Sequence, residues 1–282
     1  MEVPTGRRDG AAFDPADGTW RTIAPSPAPI FEAPTAWSGK RLVVLTSKAT
    51  LAYDPVADAW ETWEPPPDIE VNQIVPTDKG LLFVGYSSRG PDSADWLLAE
   101  GAWQALPRDP FGESYDRSVA WDGDRYWLLS MAVEHHFEAS NGTSSRVAVL
   151  SDGGWQAVSD STPDLGYGQR WWIVGDRLVA PPRGAGKAAY FDLGSHTWTS
   201  APVEEDRECA LPAVGAGAGW VGGGGSLLLA ASTKEILRVP PCPALARPDL
   251  AVWADDELLV WGGVSSDSEN QAVGLRWRPP AP

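Results

Sequence analysis

The sequence predicts an all-β fold, a six-bladed propeller with four antiparallel strands per blade, on three observations. The chain of 282 residues holds 29 Gly, 26 Pro and 16 Trp but only 2 Met; Gly and Pro destabilise helix interiors and build turns, while aromatics suit half-buried strands. A short pattern, W-x-x-Φ with Φ apolar, returns six times at a spacing typical of propeller blades. Each repeat also carries a polar turn that runs straight into an apolar strand.

The copies of the first pattern are Trp20 to Ile23, Trp60 to Trp63, Trp103 to Leu106, Trp155 to Val158, Trp198 to Ala201 and a degenerate Ile236 to Val239. Successive anchors lie 40, 43, 52, 43 and 38 residues apart. Most copies lead into Pro, which ends a strand because it cannot donate to the ladder. Upstream sit extended segments closing in tight turns, AAFDPADGTW, LAYDPVADAW, AAYFDLGSHTW and more loosely VAVLSDGGW, in which Asp, Pro and Gly supply the turn between two antiparallel strands. The turn-plus-strand segments are GKRLVVLT, DKGLLFVGY, GDRYWLLSM, GDRLVAPP, GWVGGGG and DDELLVWGG. Together these give four strands per unit, a to d, in a meander that must stack on its neighbours to bury both faces. The last unit supplies a, b and c and then stops, so Thr19 to Ile23 is expected to be its outer strand, closing the ring by pairing the N- and C-terminal segments. Phe13 to Pro15 and Trp277 to Pro279 compete for its third-strand slot. The whole chain, 1–282, reads as a single propeller domain.

LAYDPVADAWETW, FDPADGTW and ELLVWGG resemble the kelch repeat, with its diglycine, its aromatic before the third turn and its spaced Trp. The resemblance covers nearly the whole chain. It implies a kelch-type propeller related in architecture to the galactose oxidase central domain and to bacterial sialic acid mutarotase. The chain departs from the pattern in places: the diglycine is clear only at Gly262 and Gly263 and within residues 222–225, and the unit ending at Ile236 lacks both Trp and Asp-Pro.

Charge narrows the partners. A net charge of −16 repels phosphate backbones and anionic headgroups, which argues against nucleic acid and membrane surfaces. No apolar run reaches the roughly 18 residues of a membrane helix, and the N-terminal segment lacks the apolar core of a signal peptide. A soluble, cytoplasmic monomer is expected, with Cys209 and Cys242 as reduced thiols. No cofactor or metal is expected. The adjacent pair His135 and His136 does not suit the copper–radical centre of galactose oxidase. Asp192 and His196 match only part of the iron motif of the plant specifier proteins, which resemble this chain in fold. Residues 222–225 lack the Lys and helix of a phosphate loop.

In this topology the d-to-a and b-to-c connections gather at one end of the blades, the loop end, and the a–b and c–d turns at the other. Turn-end Asp residues are expected to cap their own backbone. The b-to-c loop from Met131 to Ser145 accounts for the 52-residue spacing and carries Glu134, His135, His136 and Glu138. Long loops in compact folds are often functional, and His has an unperturbed pKa of about 6.5. Arg183 lies on another b-to-c loop. The d-to-a connections carry Glu32, Glu70, Glu113, Asp116, Arg117, Tyr167, Arg170, Arg207, Glu208, Arg247 and Asp249. Arginine forks suit a carboxylate or sulfate, while Glu, Tyr or His can move protons.

Two functional classes follow. One is a binding module whose loop end holds a protein or a small polar or anionic metabolite through Arg117, Arg170, Arg183, Arg207, Arg247, Glu70 and Glu113. The other is a cofactor-independent epimerase, mutarotase, cyclase or lyase, with His135 or His136 as acid or base, Glu134 or Glu138 orienting it, and Tyr167 as a further proton donor. The repeated anchors Trp20, Trp60, Trp103, Trp155 and Trp198, and the inner-strand Trp37, Trp121, Trp171, Trp172 and Trp253, are expected to pack between blades.

Overall fold

In the computed structural model, the structure describes residues 6–87, 93–112, 114–132, 145–151, 153–159, 171–180, 186–203, 211, 214–217, 219–222, 227–230, 233, 235–240, 248–264 and 269–280. The secondary structure is all β, and no helix among these residues is long and apolar enough to cross a membrane. The strand order is that of a six-bladed propeller, with each sheet a meander in chain order. Two compact units divide the chain, Met1–Glu113 and Ser114–Pro282.

The first unit opens with a two-stranded hairpin, β1 (Gly10–Asp14) and β2 (Thr19–Ile23). A four-stranded sheet follows: β3 (Thr35–Trp37), β4 (Leu42–Leu45), β5 (Thr50–Asp54) and β6 (Ala59–Trp63). Its second sheet is β7 (Ile69–Thr77), β8 (Gly80–Ser87), β9 (Ser93–Ala99) and β10 (Ala102–Ala105). The second unit holds β11 (Ser114–Trp121), β12 (Tyr126–Ala132), β13 (Ser145–Ser151) and β14 (Gly154–Ser159), then β15 (Trp172–Val174), β16 (Arg177–Ala180), β17 (Gly186–Asp192) and β18 (Thr197–Val203). A third sheet comprises β19 (Val214–Gly217), β20 (Trp220–Gly222), β21 (Leu227–Ala230) and β22 (Ile236–Arg238). The last has three strands, β23 (Leu250–Ala254), β24 (Glu257–Trp261) and β25 (Gly274–Trp277). Both candidates for the third-strand slot are strands: Phe13 lies in β1 and Trp277 in β25. The described ladders pair β2 with β1 and β25 with β24, so a ladder between Thr19–Ile23 and the last sheet is not among them.

The W-x-x-Φ pattern has one physical meaning. Each anchor faces an apolar residue across the hairpin that ends its repeat: Phe13↔Trp20, Tyr53↔Trp60, Leu98↔Trp103, Leu150↔Trp155, Phe191↔Trp198 and Leu229↔Ile236. In the three copies with an aromatic partner the rings sit 5.0, 5.0 and 4.9 Å apart and tilted, the geometry aromatic pairs prefer. Such cross-strand pairs stabilise a hairpin by about 0.2–1 kcal/mol each. The two-residue turn Glu100–Gly101 has φ of 52° and 79°, the left-handed pair that matches strand twist.

Packing between sheets uses the alternate faces. The first strands of successive sheets lie side by side within each unit, β3 by β7, and β11, β15, β19 and β23 in turn. Between the first two sheets Val43, Ala52, Ile74 and Phe83 form a core with Trp63 and Trp103 against it. In the second unit Leu129, Val147, Trp171, Leu178 and Phe191 form another, with Trp198 against it. Gly215 on β19 accepts a 2.7 Å hydrogen bond at its carbonyl from the Trp253 indole, and a Cβ there would stand 2.9 Å from Trp172 Nε1. Two expected wedges therefore meet at a residue that must lack a side chain. Trp20 and Trp37 depart from the packing expectation, being 46% and 50% exposed.

The turn-end aspartates cap their own backbone as expected. Asp14, Asp54 and Asp192 each accept backbone N–H groups two or three residues on, and these bonds hold the Asp54 and Asp192 carboxyls below the ordinary range. Asp122 does more. Its Oδ1 accepts the Asp124 and Arg125 amides, and its Oδ2 accepts the indole N–H of buried Trp127 at 2.7 Å. Burial pushes this carboxyl up, yet the Trp127, Arg125 and Asp124 donors outweigh it and hold it low. A folded-state pKa below the unfolded value gives stability that is complete above the ordinary carboxylate range, near pH 4, and is lost as pH falls through the lowered value. Asp122→Asn turns one acceptor into a donor facing the indole, so it should cost about 1–3 kcal/mol by urea unfolding at pH 7, and its deficit against the parent should shrink toward pH 3.

Candidate functional site

Of the residues expected to form a site, Arg117 and Glu70 are described. Glu113, Glu134, His135, His136, Tyr167, Arg170, Arg183, Arg207 and Arg247 lie outside the described residues, as do Glu138, Glu208, Cys209 and Cys242. Both described residues sit in strands instead of the expected connections. Glu70 is the second residue of β7, exposed and opposite Tyr86. Arg117 lies inside β11 and is only 3% exposed. The physical reason is a β-bulge: the β11–β12 register steps from Tyr115↔Met131 to Ser118↔Leu129, which leaves Asp116 and Arg117 together opposite Ser130. A bulge keeps the strand going while turning a side chain out of the regular alternation.

The bulge aligns a polar row across three strands. Ser130 on β12 pairs with Arg146 on β13, so the row runs Arg117, Ser130, Arg146 at the loop end of one sheet. Ser130 is 1% exposed, and its hydroxyl finds no hydrogen-bond partner among the described residues. The neighbouring row toward the turn end is apolar, Val119, Leu128 and Ala148, all buried. Two more buried donors stand at the same end, toward the next sheet. They are the Ser118 hydroxyl and the Trp171 indole N–H, likewise without hydrogen-bond partners among the described residues. Trp171 is held edge-on to Trp198, 5.2 Å between centroids.

This chemistry has a sign. Guanidinium and indole groups only donate, and a buried hydroxyl left without a partner costs about 1–3 kcal/mol. The hydroxyls and indole N–H without partners, with guanidinium charge beside them, suit a ligand rich in acceptors, above all a carboxylate or phosphate. Ser118, Ser130 and Arg146 were not among the sequence candidates. Their signal was a polar residue inside an apolar strand, as in YWLLSM and SRVAVL, where alternation calls for a buried side chain. The long loop is tied to the same place, since its expected ends are strand residues that pair with each other, Met131↔Ser145, next to the Ser130–Arg146 pair.

At the turn end, the residues of the partial iron motif are occupied. His196, at φ 56°, stacks on Phe191 at 6.0 Å, and its backbone N–H donates to the Asp192 carbonyl. The Asp192 carboxylate is occupied by the Gly194 and Ser195 amides. Both residues of the partial iron motif thus serve the turn. Among the described residues, no three His, Cys, Asp or Glu side chains stand close enough to share a metal ion.

No family model and no curated protein matches the chain. Among solved structures, one titled "Structure of YjhT" superposes with a TM-score of 0.55 at 12% identity, covering 90% of this chain and 96% of that chain. The likeness is one of fold alone, and a propeller selects no activity by itself.

If the Ser130 hydroxyl is kept for something other than stability, its removal should not weaken the empty protein. Ser130→Ala should leave the melting temperature unchanged or raise it slightly, because deleting an unpartnered buried hydroxyl removes a desolvation cost of about 1–3 kcal/mol while leaving only a small gap. A marked fall in thermal denaturation would assign the hydroxyl to the fold.

Proposed function

We propose that the protein is a kelch-type propeller that binds a small anionic metabolite at the loop end of the β11–β13 strands. The observation that carries this reading is the buried Arg117, set by a bulge beside the unpartnered Ser130 hydroxyl and in line with Arg146. Donors sunk below the surface suit a small acceptor better than a protein, whose contacts spread over a broad surface. Arg170, Arg183, Arg207 and Arg247, expected from the sequence on loop-end connections, would add positive charge around the ligand. Two cysteines kept as thiols fit a cytoplasmic setting for this role.

A second reading is supported by the pairing of Met131 with Ser145 next to the Ser130–Arg146 pair, since the sequence between those two strand residues carries Glu134, His135 and His136. Under that reading the arginines hold an anionic substrate group while a loop histidine exchanges a proton with it, with Tyr167 as a further donor, in an epimerase, mutarotase, cyclase or lyase reaction that needs no cofactor.

Titration calorimetry of the full chain against a panel of sugar acids, hydroxy acids and phosphates, each beside its neutral analogue, tests both readings. An anionic member should bind and its neutral analogue should not. Arg117→Lys keeps the charge but loses the planar fork and should weaken binding about 10-fold or more. Equal binding of the neutral analogues, or an unchanged affinity in Arg117→Lys, would overturn the proposal. Turnover of a bound member that is lost on replacing His135 and His136 by Ala, with affinity kept, would establish the enzyme.

A further inference from the structure

A second feature lies in the first unit, between its two four-stranded sheets. A cavity of about 520 Å³ opens between them, lined by Trp63, Glu64, Ser38, Thr77, Leu98 and Trp103 among others. That volume is within the range of small-molecule sites, roughly 300–1,000 Å³. All of its lining residues belong to the first unit, whereas the Arg117 row belongs to the second.

The two indoles are fixed before anything binds. The Trp63 N–H donates to Glu61 Oε2 at 3.2 Å, and Glu61 is itself held by the Arg41 guanidinium at 2.6 Å. Trp103 stands edge-on to buried Phe83, 4.9 Å between centroids. The two hydroxyls of the lining are already used. Ser38 Oγ donates to the Arg41 carbonyl and accepts the Arg41 amide, while Thr77 Oγ1 donates to the Gly80 carbonyl and accepts the Lys79 amide. Among the described residues, Glu64 has no hydrogen bond or ion pair and the cavity lining includes neither Lys nor Arg.

This combination discriminates between ligands. A sugar or other polyol would bring many hydroxyls to a wall whose own hydroxyls are spent, and beyond those that Glu64 accepts its polar groups would be left unpaired at a cost. A quaternary ammonium needs no hydrogen bond. It is attracted to aromatic faces, best of all to Trp, and to a carboxylate, and the chain's net charge of −16 draws cations toward it. We infer that the cavity between the first two sheets binds a small organic cation of the quaternary ammonium type, with Trp63 and Trp103 as the aromatic walls and Glu64 as the counter-charge.

Calorimetric titration of the full chain with choline and tetramethylammonium tests this, with 3,3-dimethylbutan-1-ol as the neutral isostere of choline and glucose as the polyol. Both cations should bind saturably, and the isostere should bind about 10-fold more weakly or worse. Glu64→Gln, at an exposed position, should weaken choline by several-fold with the melting curve unchanged. Trp103→Leu should weaken it further, and Trp103→Phe should restore part of the loss. Failure of both cations to bind folded protein, equal affinity for the neutral isostere, binding of glucose in their place, or choline affinity untouched in Glu64→Gln would each overturn the inference. Should Trp103→Leu fail to fold, Glu64→Gln and the isostere decide the matter.

Discussion

The structure depends on the cross-strand pair at the end of each repeat. A tryptophan, or in one copy Ile236, faces an aromatic or a leucine across a short turn, and this pair fixes the register of the last two strands. Because side chains alternate along a strand, a slip of one residue would turn every buried group to the wrong face. With the register pinned at Tyr53↔Trp60 or Phe191↔Trp198, the strands before them can present unbroken apolar faces to their neighbours. The short third and fourth strands thereby determine how Val43, Phe83, Leu129 and Leu178 come to be buried.

The two ends of the blades solve their polar bookkeeping differently. At the turn end, carboxylates accept the amides of their own turns, and Asp122 also takes the indole N–H of Trp127 from the sheet it closes. Such groups are satisfied within a few residues and have little left to offer a ligand. At the loop end of β11 and β12 the Ser118 and Ser130 hydroxyls lie buried with no hydrogen bond among the described residues, near two arginines. Natural proteins tolerate this cost chiefly where a ligand or a water removes it. The Trp63–Trp103 cavity differs from both, because its indoles serve the packing of two sheets and also line open space.

Bulges link the regular fold to its irregular chemistry. The inner strands β7, β11 and β19 each carry one, at Asn72, at Asp116–Arg117 and at Gly215–Ala216. The third brings Gly215 between two tryptophans and serves packing. The second swings an arginine into line with Ser130 and Arg146 and serves binding in the reading proposed here. One backbone device thus yields either a tight contact or a presented cation, depending on whether the extra residues are small or charged.

Much of the fold was legible in the sequence because its determinants are local. The Asp-Pro and Gly turns, the spaced tryptophans and the alternating strands each act within about ten residues, so they predicted the six repeats and the caps at Asp54 and Asp192. The sites were less legible, because they are made by neighbours distant in sequence. Arg117 looked like a loop charge until the bulge at Asp116–Arg117 extended the strand around it, and an extra residue in a ladder exists only relative to the partner strand. Ser130 and Arg146 gained their meaning from pairing across β12 and β13, which periodicity does not report. Trp103 read as a packing residue, and so it is; only the fit of one sheet against the next decided that it and Trp63 would line a cavity. The sequence by itself determined which residues pair within a hairpin, since short-range turn chemistry and alternation suffice for that. Only the tertiary structure decided which donors are buried without partners and which rings border a cavity, because burial is a property of what other segments bring alongside.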